Sequence, residues 1–144
     1  MVDKALVLRK FSELEECLGQ IREYTNITVE QYSSDWKIQR IIERTLQIMI
    51  ETCVDVAGHI ISDREYRIPK SYADTFRVLH EENILEKELF ETMDKMAKFR
   101  NIVVHNYDKV DTSIVVIILT KHLDDFLTYK NAIIKILKEA DEKS

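Results

Sequence analysis

Glycine and proline are nearly absent from this sequence, with 2 and 1 residues in 144. Both residues punctuate backbone structure, so a chain with so few of them and many good helix formers predicts an all-α domain. Cysteine is also scarce. Cys17 and Cys53 both sit in helical patterns, with no C-x-x-C and no Cys/His cluster at zinc spacing. That excludes a disulfide framework and a structural zinc site, and reads as two buried thiols in a reducing compartment. No metal or other cofactor is expected.

Long hydrophobic runs are missing. The longest, Ile114 to Leu119, is six residues, against the ~18 of a membrane span. The start, M-V-D-K-A-L-V-L-R-K, has neither a signal-peptide apolar core nor a small-residue cleavage site. The expectation is a soluble, cytoplasmic protein without a membrane partner. An excess of positive charge is missing as well. The net charge of −5 excludes a protein that coats nucleic acid, because such binding needs a broad basic face. A local basic site remains open to it.

What is there is helical periodicity. Residues 3–24 form a first amphipathic helix on Val7, Phe11, Leu14, Leu18 and Ile21, in which Gly19 could admit a close neighbour. Residues 25–34 read as a polar connection. A second helix, 35–61, is apolar on more than one stripe, from Ile38, Ile41 and Ile42 to Ile60 and Ile61. Such a helix is central in a bundle or packs on a second chain. Arg40, Arg44 and Asp55 interrupt it and read as salt-bridge formers, and His59 as a structural helix-end residue. Pro69 follows, then a capping-box-like Ser71-Tyr72-Ala73-Asp74 opens a short helix to about Glu81. A fourth helix runs from about Leu85 to Val104, with Leu89, Met93, Met96 and Phe99 in the core. Asn106-Tyr107-Asp108 breaks it, and Asp111 caps a last helix over 112 to about 140. Residues 1–144 therefore read as one domain, an up-and-down bundle of four long helices and one short one.

One stretch is written for chemistry as well as packing. Phe99 to Asp111 reads F-R-N-I-V-V-H-N-Y-D-K-V-D. Imidazole, with an unperturbed pKa of roughly 6.5, both takes and gives protons near neutrality. Arginine is a permanent planar fork for phosphate oxygens. Together, Arg100 and His105 suffice in principle to cleave RNA without a metal. The base deprotonates the 2′-OH, that oxygen attacks its own phosphate, and the cation stabilises the added charge. Taken alone, the pair reads more readily as a surface cation and a helix-end imidazole. Lys95, Lys98 and Lys109 surround the stretch and are candidate RNA contacts. On an ideal helix Arg100 and His105 point ~140° apart, so one chain does not obviously converge them. Two chains about a two-fold axis could place both pairs around one cleft.

The full string R-N-x-x-V-H-x-Y-x-x-V-D, here Arg100, Asn101, Val104, His105, Tyr107, Val110 and Asp111, resembles the HepT-like branch of the HEPN superfamily. The upstream stretch from Ile68 to Leu85 looks like that family's linker and third helix. The resemblance implies a homodimeric HEPN-like bundle with a composite cleft at the interface. It implies the toxin ribonuclease of a type VII toxin–antitoxin pair, metal-independent and encoded beside a minimal nucleotidyltransferase antitoxin. Arg100 and His105 would be catalytic and Asn101 would orient His105 or the phosphate. Tyr107 would be the tyrosine that the antitoxin AMPylates, and the substrate would be mRNA or tRNA. The alternative is a non-catalytic subunit that presents nucleotide or substrate to a nucleotidyltransferase. A purely structural helical dimer is a third reading, and it leaves the co-occurrence of Asn101, His105 and Tyr107 unexplained.

Overall fold

A computed structural model describes residues 2–143, and all regular structure among them is helical. Helix α1 spans Lys4–Ile21, with Asp3 accepting from the Leu6 N–H as its N-cap. Its five-residue stripe is buried as the sequence predicts. A Cβ built on Gly19 meets nothing within 4 Å, so this glycine serves no close helix approach.

The polar connection contains a further helix, α2, at Val29–Ser34. Thr28 and Gln31 form a full capping box, and Tyr32 is buried. A chain this short supports six helical residues because both ends are tied: Asp35 ends α2 and caps α3 through the Lys37 and Ile38 N–H groups. Inside, the Tyr32 hydroxyl donates to Glu43 Oε2 at 2.6 Å. Burial and that carboxylate push the Tyr32 phenol well above its ordinary range.

Helix α3, Trp36–Asp63, is the axis of the bundle and contributes twelve buried residues. It packs against α1, α4 (Tyr72–Glu81) and α5 (Lys87–His105). Ser71 caps α4 through the Asp74 N–H. Asn83, at φ 62°, makes the left-handed turn into α5, a conformation asparagine tolerates better than most residues. Asp111 caps α6, Thr112–Ile117. The last rod is not a uniform helix. One π-helical turn, Ile118–His122, separates α6 from α7, Leu123–Glu142.

These rods close over one core. Tyr129 of α7 is fully buried, and its hydroxyl donates to the Cys53 carbonyl of α3 at 2.7 Å. Its ring meets Phe11 of α1 and Phe76 of α4 edge-on, with centroids 6.4 and 5.6 Å away. One side chain thus ties four helices. Each such buried large side chain is worth ~1.5–3 kcal/mol relative to exposure. Cys53 is buried and Cys17 only half-buried. No described helix is long and apolar enough to cross a membrane.

Several large apolar residues are not covered. Ile41 and Ile48 of α3, and Ile114 and Ile117 of α6, are 36–48% exposed. Ile102 and Val104 of α5, within the motif, are also exposed.

Candidate functional site

Arg100 is the organised centre of the motif. It lies in α5, directed at α3, with its side chain 16% exposed. Its Nε donates to Glu51 Oε2 at 2.9 Å, and its Nη2 forms an ion pair with the same oxygen at 2.8 Å. Gln47, one helical turn earlier, donates to the same Glu51 oxygen at 3.2 Å. Nη1 donates to Asn101 Oδ1 at 3.2 Å. The ring of Tyr72, at the start of α4, lies against the guanidinium with 4.5 Å to its centroid. An arginine carries five N–H donors. Three are engaged, so two remain for a phosphate while the plane of the fork is already fixed.

Sequence reasoning did not find Glu51, Gln47 or Tyr72. Glu51 is 49 residues from Arg100, and an acid within an amphipathic helix carries no local signal of its partner. Asn101 spends its oxygen on Arg100 and makes no hydrogen bond to His105.

The other end of the motif is open. His105 is the last residue of α5, and it is exposed. It makes no hydrogen bond or ion pair among the described residues. The Asn106 N–H closes the helix onto the Ile102 carbonyl at 2.8 Å, and a 3₁₀ turn, Tyr107–Lys109, follows. Tyr107 is 60% exposed. Arg40 of α3 lies over its ring, 5.3 Å from the centroid. Arg40 therefore packs on the motif tyrosine instead of forming the expected salt bridge, and Arg44 makes none among the described residues. Asp55 does, with Lys10 at 3.5 Å. Arg40, Arg44, Glu43, Gln47, Val103 and Tyr107 line a cleft of about 290 Å³.

The three lysines are dispersed. Lys98 pairs with Asp94 at 2.9 Å. Lys95 and Lys98 border an apolar groove floored by Met96, Phe99 and Ile118. Lys109 is exposed in the turn after Tyr107. His59 is exposed and lines a cleft with Tyr72, whose ring lies on Arg100. His80 holds the α4–α5 turn: its Nδ1 is 2.9 Å from the Leu85 carbonyl and its ring stacks on Phe90. Among the described residues, no three His, Cys, Asp or Glu side chains gather as metal ligands would.

One chain therefore presents a held arginine facing α3 and an unheld histidine at the helix end. Known proteins share the fold. A solved toxin of Shewanella oneidensis, described as a tri-AMPylated HEPN toxin in complex with an MNT antitoxin, superposes with a TM-score of 0.83 at 29% identity. The match covers 91% of this chain and 98% of that one. The mRNA nuclease HepT of Shewanella oneidensis is 31% identical over 84% of this chain and 90% of its own length. The tRNA nuclease HepT of Aphanizomenon flos-aquae is 26% identical over 99% and 97%. The family model described as Ribonuclease HepT-like matches residues 14–133. By fold, sequence and the extent of these matches, the chain belongs to the HepT-like ribonuclease family.

Proposed function

We propose that this chain is the toxin of a toxin–antitoxin pair and cuts RNA without a metal. The observation that carries the reading is the preset guanidinium of Arg100, held by Glu51, Asn101 and Tyr72 with two donors unspent. Such a fork stabilises charge on the non-bridging oxygens of a phosphate as it becomes five-coordinate. His105 supplies the proton transfers. Its imidazole takes the 2′-OH proton, the 2′-oxygen forms a bond to phosphorus, and the 5′-oxygen leaves with a proton. The products are a 2′,3′-cyclic phosphate and a 5′-OH.

Arg100 and His105 diverge around α5, so the cleft is completed by a second copy of the chain. Exposed apolar residues, Ile41 and Ile48 on α3 and Ile102 within the motif, support such an association. The partner in the cell is a minimal nucleotidyltransferase, as in the Shewanella complex. It transfers AMP from ATP to the Tyr107 phenol, releasing pyrophosphate. Tyr107 is exposed enough to be reached, and a nucleotidyl group beside His105 brings bulk and negative charge that exclude RNA.

The test is cleavage of total cellular RNA in excess EDTA by unmodified protein, beside His105→Ala. Loss of a general acid–base group costs roughly 10²–10⁴-fold in rate. Cleavage with cyclic-phosphate ends that disappears in the variant supports the reading. Absence of cleavage by protein with a bare Tyr107 favours the non-catalytic partner subunit.

A further inference from the structure

The cleft beside Tyr107 carries a feature that the acid–base pair does not use. Arg40 and Arg44 are one helical turn apart on α3, so they share a face. Both are exposed, and neither forms an ion pair among the described residues. Glu43, the one carboxylate in the cleft wall, is 7% exposed and accepts the Tyr32 hydroxyl from within the core. The cleft therefore has two accessible cations against one buried anion. Arg40 lies over the Tyr107 ring.

The cleft is joined to the Arg100 centre. Gln47 lines it and also donates to Glu51, the residue that holds Arg100. Arg40, Arg44, Gln47 and Glu51 thus form a continuous polar row on α3. It spans ~16 Å along the helix axis, at 1.5 Å per residue. A single strand of nucleic acid places several phosphates along that length.

We propose that Arg40 and Arg44 form a phosphodiester-binding subsite beside Tyr107, which seats a nucleotide phosphate adjacent to the one gripped by Arg100. The proposal rests on the ribonuclease reading above. The phosphate has two sources, the backbone of an RNA strand or a nucleotidyl group on the Tyr107 oxygen. Both present the same anionic oxygens to the same two forks. A modified Tyr107 then blocks RNA by filling a subsite the strand needs, in addition to crowding His105.

The experiment compares wild type with Arg40→Gln/Arg44→Gln, both surface changes. The first arm measures binding of a short 2′-O-methyl oligoribonucleotide, which lacks the attacking hydroxyl, by anisotropy across a salt series. An RNA phosphate in the subsite predicts a Kd at least about tenfold weaker in the variant. The slope of log K against log salt falls by about one. The second arm uses protein nucleotidylated on Tyr107 and reads the phosphodiester ³¹P resonance. A phosphate seated by the arginines predicts different resonance positions in wild type and variant. A change in the first arm alone assigns the subsite to RNA, and a change in the second alone assigns it to the modified tyrosine. No change in either arm overturns the proposal. Cleavage in EDTA, run in parallel, keeps the two readings apart. A protein that cuts RNA with both arms unchanged loses only the subsite. One that binds through the arginines but never cuts loses only the nuclease reading.

Discussion

Arg100 and His105 are five residues apart on one helix, yet their surroundings have little in common. Arg100 meets a carboxylate from α3, an amide from its own helix and an aromatic ring from α4. His105 stands exposed at the C-terminus of α5 without a bonded partner among the described residues. The arginine half is finished within one chain, and its geometry is set by the same packing that sets the core. The histidine half is defined only up to its backbone. The difference teaches that the fold fixes the guanidinium of Arg100 in place and leaves the imidazole of His105 without support from its own chain.

Variants of each half sharpen that contrast. His105→Ala removes no internal contact, so it is expected to leave the thermal midpoint unchanged. RNA cleavage should fall roughly 10²–10⁴-fold, as read by gel kinetics beside thermal melts. Arg100→Lys keeps the charge and loses the planar fork and the stacking on Tyr72. Cleavage should fall about 10²-fold, the scale of removing one preorganised donor. Unlike the histidine change, it should also lower stability by ~1–3 kcal/mol, because the partly buried Glu51 keeps the Gln47 amide but loses the Arg100 fork. Denaturant melts of the two variants side by side expose the asymmetry.

Glu51→Gln probes the support and not the reacting group. Cleavage is expected to drop several-fold, carried by kcat with little change in KM, because Arg100 still reaches the phosphate but no longer waits in position. Restoration by Glu51→Asp to an intermediate rate would mark a positioning role. Tyr129→Phe lies on the far side of the contrast. It deletes the buried hydrogen bond to the Cys53 carbonyl, which should cost ~1–2 kcal/mol with cleavage per folded molecule unchanged.

The smallest effect concerns pH. The Arg67 guanidinium donates to both Asp74 oxygens at 2.8 Å, and the Lys70 N–H donates as well. These contacts hold the Asp74 carboxyl well below the usual range, near 3.9. A depressed folded pKa means that its contribution is complete above about pH 4 and is lost as pH falls toward the folded value. In acid titrations followed by circular dichroism, Asp74→Asn should start less stable at neutral pH. It should then converge on wild type below pH 4.

Much of this was legible in the sequence, for physical reasons. The stripes of α1 and α5 are long and regular, and Asp35, Ser71 and Asp111 cap helices as their side chains predict. Helix α2 escaped because six residues carry no periodicity, although its signal, Thr28 three residues before Gln31, is present. The π turn at Ile118–His122 is invisible because the apolar pattern runs through it. The motif singled out the candidate side chains for chemistry. It did not tell that Glu51 and Tyr72 hold Arg100, or that Arg40 lies on Tyr107, since those contacts join residues far apart in the chain.

The central claim is that two copies complete one cleft. It is tested most directly by mixing two inactive proteins, Arg100→Ala and His105→Ala, under conditions that exchange subunits, and measuring RNA cleavage in EDTA. A composite cleft retains one native arginine and one native histidine in each mixed dimer, so activity should return well above either variant alone. A mixture that forms mixed dimers by native mass spectrometry yet stays inactive would contradict the account.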